Sequence, residues 1–267
     1  MNNNKIQAVV FDWAGTTVDY GCIAPVAIFI EVFKKRGIEI TLAEAREPMG
    51  LQKRDHIVAI CTMPRVANLW HQKFDRKPLE SEIDEMYNDF ENMIFQILSN
   101  YAQPIPGVLN LMERLRAKGI KIGSTTGYTK DMIKIVAAEA KKQGYEPDYL
   151  VTSEDVPGGR PYPWMCYENA MHLGVYPMSS MMKVGDTVID MQDGRNAGMW
   201  TVGVVLGGSE LGLTQEEVEA MEPQLLEQKM EEVRQRLIAA GAHFTIDSIG
   251  DLDKVIEKIE MGEIVYQ

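Results

Sequence analysis

Short apolar, β-branched runs alternate with amphipathic stretches along most of this chain, and one long helical block interrupts the alternation. The first run, Ala8-Val-Val-Phe11, is too short to span a membrane and reads as a buried strand. Residues 22–99 then carry helical patterning almost throughout: Pro25 to Lys35, the segment opened by Thr41-Leu-Ala-Glu44 with capping-box spacing, and Ser81 to Leu98. From Gly107 onward helix and strand take turns. Val108 to Lys118 precedes a strand from Ile120 to Thr125, Lys130 to Gln143 precedes Tyr149 to Thr152, and Pro163 to Leu173 precedes Met181 to Gly185. Val188 to Ala197 then precedes Trp200 to Leu206, and a last strand falls near His243 to Asp247. Gly119, Gly144, Gly174 and Gly198 each follow a helical stretch, where glycine ends a helix at little cost. Gln215 to Ala240, opened by Thr214-Gln-Glu-Glu217, reads as one long solvated surface helix.

This repetition predicts an α/β fold: a Rossmann-like, doubly wound parallel sheet core with an inserted helical cap domain. The core comprises residues 1–21 and 100–267, and residues 22–99 form the cap over the strand ends. Connectors fall near Gly21 and at Asn100-Tyr-Ala-Gln-Pro104, with Pro104 and Pro106 restricting the return path.

Composition narrows the function. Thirty-nine acidic against 27 basic residues give a formal charge of -12, which argues against broad nucleic-acid or anionic-membrane binding, so an anionic substrate needs a local positive site. Cys22, Cys61 and Cys166 are few and scattered, indicating neither a disulfide framework nor a thiolate metal cluster and fitting a reducing cytoplasm. The Met-Asn-Asn-Asn-Lys start has no secretion signal, so a soluble cytoplasmic protein is expected.

Asp12-Trp-Ala-Gly-Thr-Thr-Val, directly after the first strand, presents a carboxylate at a strand's carboxyl edge, where open α/β sheets bind ligands. Such a carboxylate can attack phosphorus; an isolated Asp before Gly-Thr can equally cap a turn. Three later stations decide between them: Thr126 with Gly127, Arg160 in Gly158-Gly-Arg-Pro, and Asp186 with Asp190. Their order resembles the haloacid dehalogenase superfamily over nearly the whole chain. That resemblance implies Asp12 as nucleophile, Thr126 as hydrogen-bond donor to the phosphoryl group, Arg160 as its counter-cation where lysine is more usual, and Asp186 as a Mg2+ ligand. Asp190 is read at the same metal site, either as a ligand or, preferably, reaching the ion through water, with a helix N-terminal charge as the alternative. The superfamily's phosphatases carry a second acid where this chain has Ala14, so ester hydrolysis is disfavoured, although the Ala14 carbonyl can still bind the metal.

With that acid missing, Gly50-Leu-Gln-Lys53-Arg54 in the cap supplies an amine instead. Together with the Asp12 and Gly185-Asp-Thr-Val-Ile-Asp190 motifs it resembles the phosphonoacetaldehyde hydrolase family. The resemblance implies a Schiff base at Lys53 and phosphoryl transfer from carbon to Asp12. Chemically, an iminium accepts the electron pair of a breaking carbon–phosphorus bond, which a bare carbanion cannot hold. Attack requires a neutral amine, which burial or a neighbouring cation such as Arg54 promotes.

His56 sits one helical turn from Lys53, either transferring protons or as a polar side chain; Cys22 and Met49 either line the aldehyde pocket or simply pack; Tyr128 either contacts substrate or packs. Asp19, Asp155 and Asp193 receive no assignment, nor do His71, His172 and His243. The competing readings are a phosphatase or phosphomutase, a metal-free dehalogenase, and a noncatalytic phosphate sensor. The family resemblance also implies a homodimer through the cap helices.

Overall fold

The computed structural model describes residues 5–263. Strand β1 (Ala8–Phe11) is followed by six α-helices before the sheet resumes, the first five being α1 (Ile23–Lys35), α2 (Leu42–Arg46), α3 (Lys53–Thr62), α4 (Pro64–Phe74) and α5 (Glu80–Ile94). The alternating part then runs α6 (Val108–Ala117), β2 (Lys121–Thr126), α7 (Lys130–Lys142), β3 (Tyr149–Thr152), α8 (Trp164–Leu173), β4 (Met181–Gly185), α9 (Val188–Ala197) and β5 (Trp200–Val204). It closes with α10 (Gln215–Ala220), α11 (Pro223–Ala239), β6 (Phe244–Ile246) and α12 (Leu252–Glu260).

The six strands form one parallel sheet in the order β3-β2-β1-β4-β5-β6. The chain steps outward from β1 on one side and then on the other, so the crevice beyond the carboxyl ends of β1 and β4 is the topological switch point where such sheets hold ligands. Register makes this specific. Phe11 lies opposite Val184 and Ser124, so Asp12, Asp186 and Thr126 emerge at nearly one level. Every residue of β1, β4 and β5 is buried, as expected for strands covered on both faces.

Helices α1–α5 pack on one another, α1 and α3 both against α5, with Phe29 of α1 stacked on Phe90 of α5 at 4.4 Å, while α6 packs on β2. Outgoing and returning chains run side by side: Ile105 donates its N–H to the Thr17 carbonyl at 2.9 Å, and Val18 bridges Pro104. Both expected capping boxes form, at Thr41/Glu44 and at Thr214/Glu217. The four glycines expected to end helices all have positive φ.

Two elements differ from the pattern. The expected single helix over 215–240 is two, because Pro223 has no N–H to continue the ladder and its ring excludes the preceding turn; it opens α11 instead, with the Glu222 side chain accepting from the Leu225 N–H at 2.9 Å. Nor is α11 merely solvated: Met230, Val233 and Leu237 are buried in a cluster with Met191, Val205 and Ala242. The strand read as Trp200 to Leu206 ends at Val204, where the chain turns toward Gly207-Gly208-Ser209. Among the described residues no helix is long and apolar enough to cross a membrane.

Candidate active site

Asp12 leaves β1 with its N–H donated to the Val184 carbonyl at 2.9 Å, which holds the carboxylate at the sheet's edge between β2 and β4. Gly15, two residues into the following turn, has φ +84°, and a Cβ there would lie 2.4 Å from Oδ2 of Asp186. Glycine is therefore required for the turn and for the close approach of Asp186. Asp186 is fixed by Thr16, whose hydroxyl donates to Oδ1 at 2.8 Å, and by Ser209, whose N–H and hydroxyl both donate to Oδ2 at 2.7 Å.

Arg160 reaches in from the loop after β3. Its Nη2 donates to Asp12 Oδ1 at 2.5 Å and to the Thr125 hydroxyl at 2.8 Å, while Nη1 lies 3.1 Å from Asp190 Oδ1. Asp190 is fully engaged: Lys183 Nζ donates to Oδ1 at 2.7 Å, and the Thr187 hydroxyl donates to Oδ2 at 2.5 Å. It thus stands behind Arg160 and at the N-terminus of α9 at once.

Burial dominates the electrostatics. It raises the Asp12 carboxyl, against the pull of Arg160; it raises Asp186 to about 7, reinforced by the Asp12 and Asp190 charges. Burial pushes Asp190 the same way, but Arg160 and Lys183 outweigh it and hold that carboxyl below its usual range. Burial likewise pulls the Arg160 guanidinium down, yet Asp12, Asp190 and Asp193 together raise it.

One ligand oxygen from each of Asp12, Asp186 and Asp190 lies within 4.8 Å of the others, and all three residues are buried. With Asp193, four buried carboxylates face two buried cations, Arg160 and Lys183, so negative charge is in excess. An all-oxygen donor set with excess charge fits a hard divalent cation. Asp12 and Asp186 are the direct donors better suited to it, since Asp190 Oδ1 already faces two cations, Lys183 and Arg160, whereas Asp186 accepts only from the neutral groups of Thr16 and Ser209 and only Oδ1 of Asp12 is held by Arg160.

Lys53 is the first residue of α3, 7% exposed, with Nζ 5.1 Å from the centroid of the Tyr128 ring. Burial lowers its pKa, Arg160 adds to this, and Asp12 and Asp19 oppose it. Its position at a helix N-terminus also disfavours an ammonium. Arg54 does not contribute as expected from sequence: its side chain turns outward to Glu80 at 2.6 Å and Asp84 at 2.8 Å on α5.

A cavity of about 30 Å³ joins these groups. Asp12, Ala14, Thr126, Gly127, Tyr128 and Arg160 line its sheet side, and Cys22, Met49 and Lys53 its helical side. Larger hollows, of about 430 Å³ near Tyr20 and about 690 Å³ near Trp164, hold no pairing of nucleophile and amine. Thr126 accepts the Tyr128 N–H at 3.0 Å. Burial raises the Cys22 thiol and the Tyr128 phenol well above their usual ranges, so both stay neutral.

His56 lies outside this lining. Its ring stacks on Phe29 at 3.8 Å and its Nε2–H donates to the Ala45 carbonyl at 2.9 Å, leaving Nδ1 without a hydrogen-bond partner among the described residues. Burial, with Lys53 adding to it, lowers its pKa to about 3.

Sequence reasoning passed over Lys183, Ser209 and Thr125. Lys183 had a signal, a lone lysine inside the buried run Met-Met-Lys-Val-Gly; Ser209 had a weaker one, the Gly-Gly-Ser turn after a strand. Asp19 was also missed. Its carboxylate accepts from the N–H groups of Ile23 at 3.1 Å and Ala24 at 3.3 Å, capping α1, and burial raises it to about 7 against those bonds.

A family model described as haloacid dehalogenase-like hydrolase matches residues 9–204. The chain is 61% identical over 261 residues to a protein named phosphonoacetaldehyde hydrolase from Bacillus cereus, covering 98% of this chain and 99% of that one. A protein of the same name from Bacillus anthracis is also 61% identical over 261 residues, with the same coverage. A solved structure of a phosphonoacetaldehyde hydrolase like protein from Oleispira antarctica superposes with a TM-score of 0.93 at 41% identity, over 96% of this chain and 93% of that one. A hydrolase from Pseudomonas syringae, 18% identical with a TM-score of 0.71 over 95% of this chain and 99% of that one, shares the fold.

Proposed function

This chain belongs to the haloacid dehalogenase-like hydrolases, and we propose that within that family it cleaves the carbon–phosphorus bond of phosphonoacetaldehyde to acetaldehyde and phosphate. One observation carries the reading: a buried lysine with a depressed pKa shares a cavity with a buried aspartate. A phosphatase has no use for that amine, and Ala14 offers it no acid.

The neutral Lys53 amine attacks the aldehyde carbon, and the resulting carbinolamine takes up one proton and loses water to leave an iminium. An Asp12 oxygen attacks phosphorus in line; the carbon–phosphorus electron pair moves into the iminium, giving an enamine on Lys53 and a phosphoryl group on Asp12. Protonation of the enamine carbon and hydrolysis of the imine release acetaldehyde, and water attack on the acyl phosphate releases phosphate and restores Asp12.

Arg160 neutralises phosphoryl charge, with Thr126 and Gly127 beside it, while Met49 and Cys22 shape the aldehyde end and Tyr128 packs under the lysine. His56, neutral throughout the working range, can take a proton at Nδ1 only transiently. Asp12, the Ala14 carbonyl and Asp186, with Asp190 behind them, would hold Mg2+, which would supply the charge neutralisation that lets one anion approach another.

Residues 22–99 act as a cap that opens to admit substrate and closes to exclude water. The same kinship supports a cytoplasmic homodimer through the cap helices, which sedimentation would test by reading one or two copies. In the chemical test, borohydride added with phosphonoacetaldehyde should fix a two-carbon adduct on Lys53 and none on Lys53→Ala. An adduct of equal yield on the variant refutes the lysine's role.

A further inference from the structure

Three residues beyond Asp190, on the same face of α9, Asp193 is fully buried. Its Oδ2 lies 3.7 Å from Nε of Arg160. Both Asp193 oxygens and that Nε lack a hydrogen-bond partner among the described residues, the Cys166 thiol beside the carboxyl being at most a weak donor. Burial raises this carboxyl to about 6, with Lys183 and Arg160 drawing it back down.

A buried carboxylate without hydrogen bonds is expensive to keep, and a neutral side chain of the same size would fill the space at lower cost. Its charge therefore needs a counterpart, and the guanidinium supplies one. The fork of Arg160 has three edges: Nη1 faces Asp190 at 3.1 Å, Nε faces Asp193 at 3.7 Å, and Nη2 is left pointing at Asp12 at 2.5 Å. Two carboxylates one turn apart thus fix the plane of the fork and aim its remaining edge at the reacting centre. A lysine has no Nε edge for the second carboxylate to hold.

We infer that Asp193 is a positioning residue for Arg160, orienting the guanidinium so that Nη2 is presented to the phosphoryl group. This rests on Arg160 being the phosphoryl-binding cation, and it explains how arginine serves where lysine is more usual.

The test is a double-mutant cycle read by calorimetric binding of inorganic phosphate to the magnesium-loaded protein. Asp193→Asn should weaken phosphate binding about tenfold beside Arg160 but less than about twofold in an Arg160→Lys background, because the edge it holds is gone. Equal loss in both backgrounds, or no loss in either, overturns the inference. Should Asp193→Asn fail to fold, Asp193→Glu displaces the charge by one methylene and is held to the same criterion. If Arg160→Lys and Arg160→Ala both bind phosphate as the wild type does, the premise fails instead, a distinguishable result.

Discussion

Nη2 of Arg160 lies 2.5 Å from Oδ1 of Asp12, both side chains almost wholly out of solvent. Burial raises this carboxyl and the guanidinium draws it back down, toward the anion that attack on phosphorus requires. The guanidinium therefore favours the Asp12 anion, the form that the proposed reaction needs.

Arg160→Ala should accordingly lose kcat/KM by about 10²- to 10³-fold. It should also move the acid limb of the pH profile upward, because removing a cation raises the carboxyl pKa. Steady-state rates from pH 5.5 to 9 check this; a fall in rate with an unmoved limb would assign Arg160 to substrate binding alone.

Lys53 and Arg54 are neighbours in sequence with opposite surroundings. Lys53 faces the cavity, whereas Arg54 forms exposed ion pairs with Glu80 and Asp84. Lys53→Arg should abolish trapping and lower turnover by at least about 10³-fold. Arg54→Ala should leave the pH dependence of trapping unchanged and alter stability by less than about 1 kcal/mol. A shift in that dependence would restore Arg54 as the cause of the lysine's depressed pKa.

The sheet was legible because parallel strands covered on both faces are short apolar runs: Ala8–Phe11, Tyr149–Thr152 and Met181–Gly185 have the bounds read from sequence. Asp12 and Asp186 were legible for the same reason, each following such a run at its carboxyl end. Pairings across the fold were not. Ser209 stands 23 residues from Asp186, and no periodicity joins them. Asp193 gains its meaning only when α9 turns it onto a guanidinium 33 positions earlier in the chain. The break at Pro223 was legible and outweighed by the surrounding run of helix formers, although one proline opposes helix continuation by about 3 kcal/mol.

Gly15→Ala tests the metal site through the backbone. Its Cβ would meet Asp186 Oδ2 at 2.4 Å, from a φ of +84° that alanine resists, so Asp186 must move. Stability should fall by about 1 to 3 kcal/mol, and the magnesium concentration for half-maximal activity should rise at least about tenfold. Chelation should silence the wild type and added Mg2+ restore it. Unchanged magnesium dependence in Gly15→Ala would remove Asp186 from the metal site.

Asp186 and Asp19 both sit at about 7 in the metal-free fold, well above an unfolded aspartate. Between those values the folded chain holds protons that the unfolded chain has released, so stability falls as pH rises through the folded value. From pH 6.5 to 8 each group should cost about 1 kcal/mol. His56, at about 3, is neutral in both states over most of this window. Urea unfolding of metal-free protein should show the decline, and Asp19→Asn should make it shallower. A slope that ignores Asp19→Asn would place the titration elsewhere.

The loop over residues 50–52 that leads into Lys53 rests on two glycines of the sheet side, and they differ in how they would resist a side chain. A Cβ at Gly127 would lie 3.1 Å from the carbonyl oxygen of Leu51, main chain that cannot yield unless the loop itself lifts. A Cβ at Gly159 would meet Nε2 of Gln52 at 2.8 Å, a closer approach but to the free end of a flexible side chain. If closure over the substrate depends on backbone contact, the looser of the two clashes is the more damaging one. Gly127→Ala should lower kcat/KM about tenfold and speed reductive methylation of Lys53 by a similar factor. Gly159→Ala should stay within about threefold of the wild type on both measures, since Gln52 can turn away and the remaining contact, with the Ser153 Cβ at 3.1 Å, strains the sheet side and not the loop that leads into Lys53. The reverse order, or equal effects, would mean that the loop is held by side chains and that Gln52, not the Gly50-Leu51 backbone, governs how the lysine is presented.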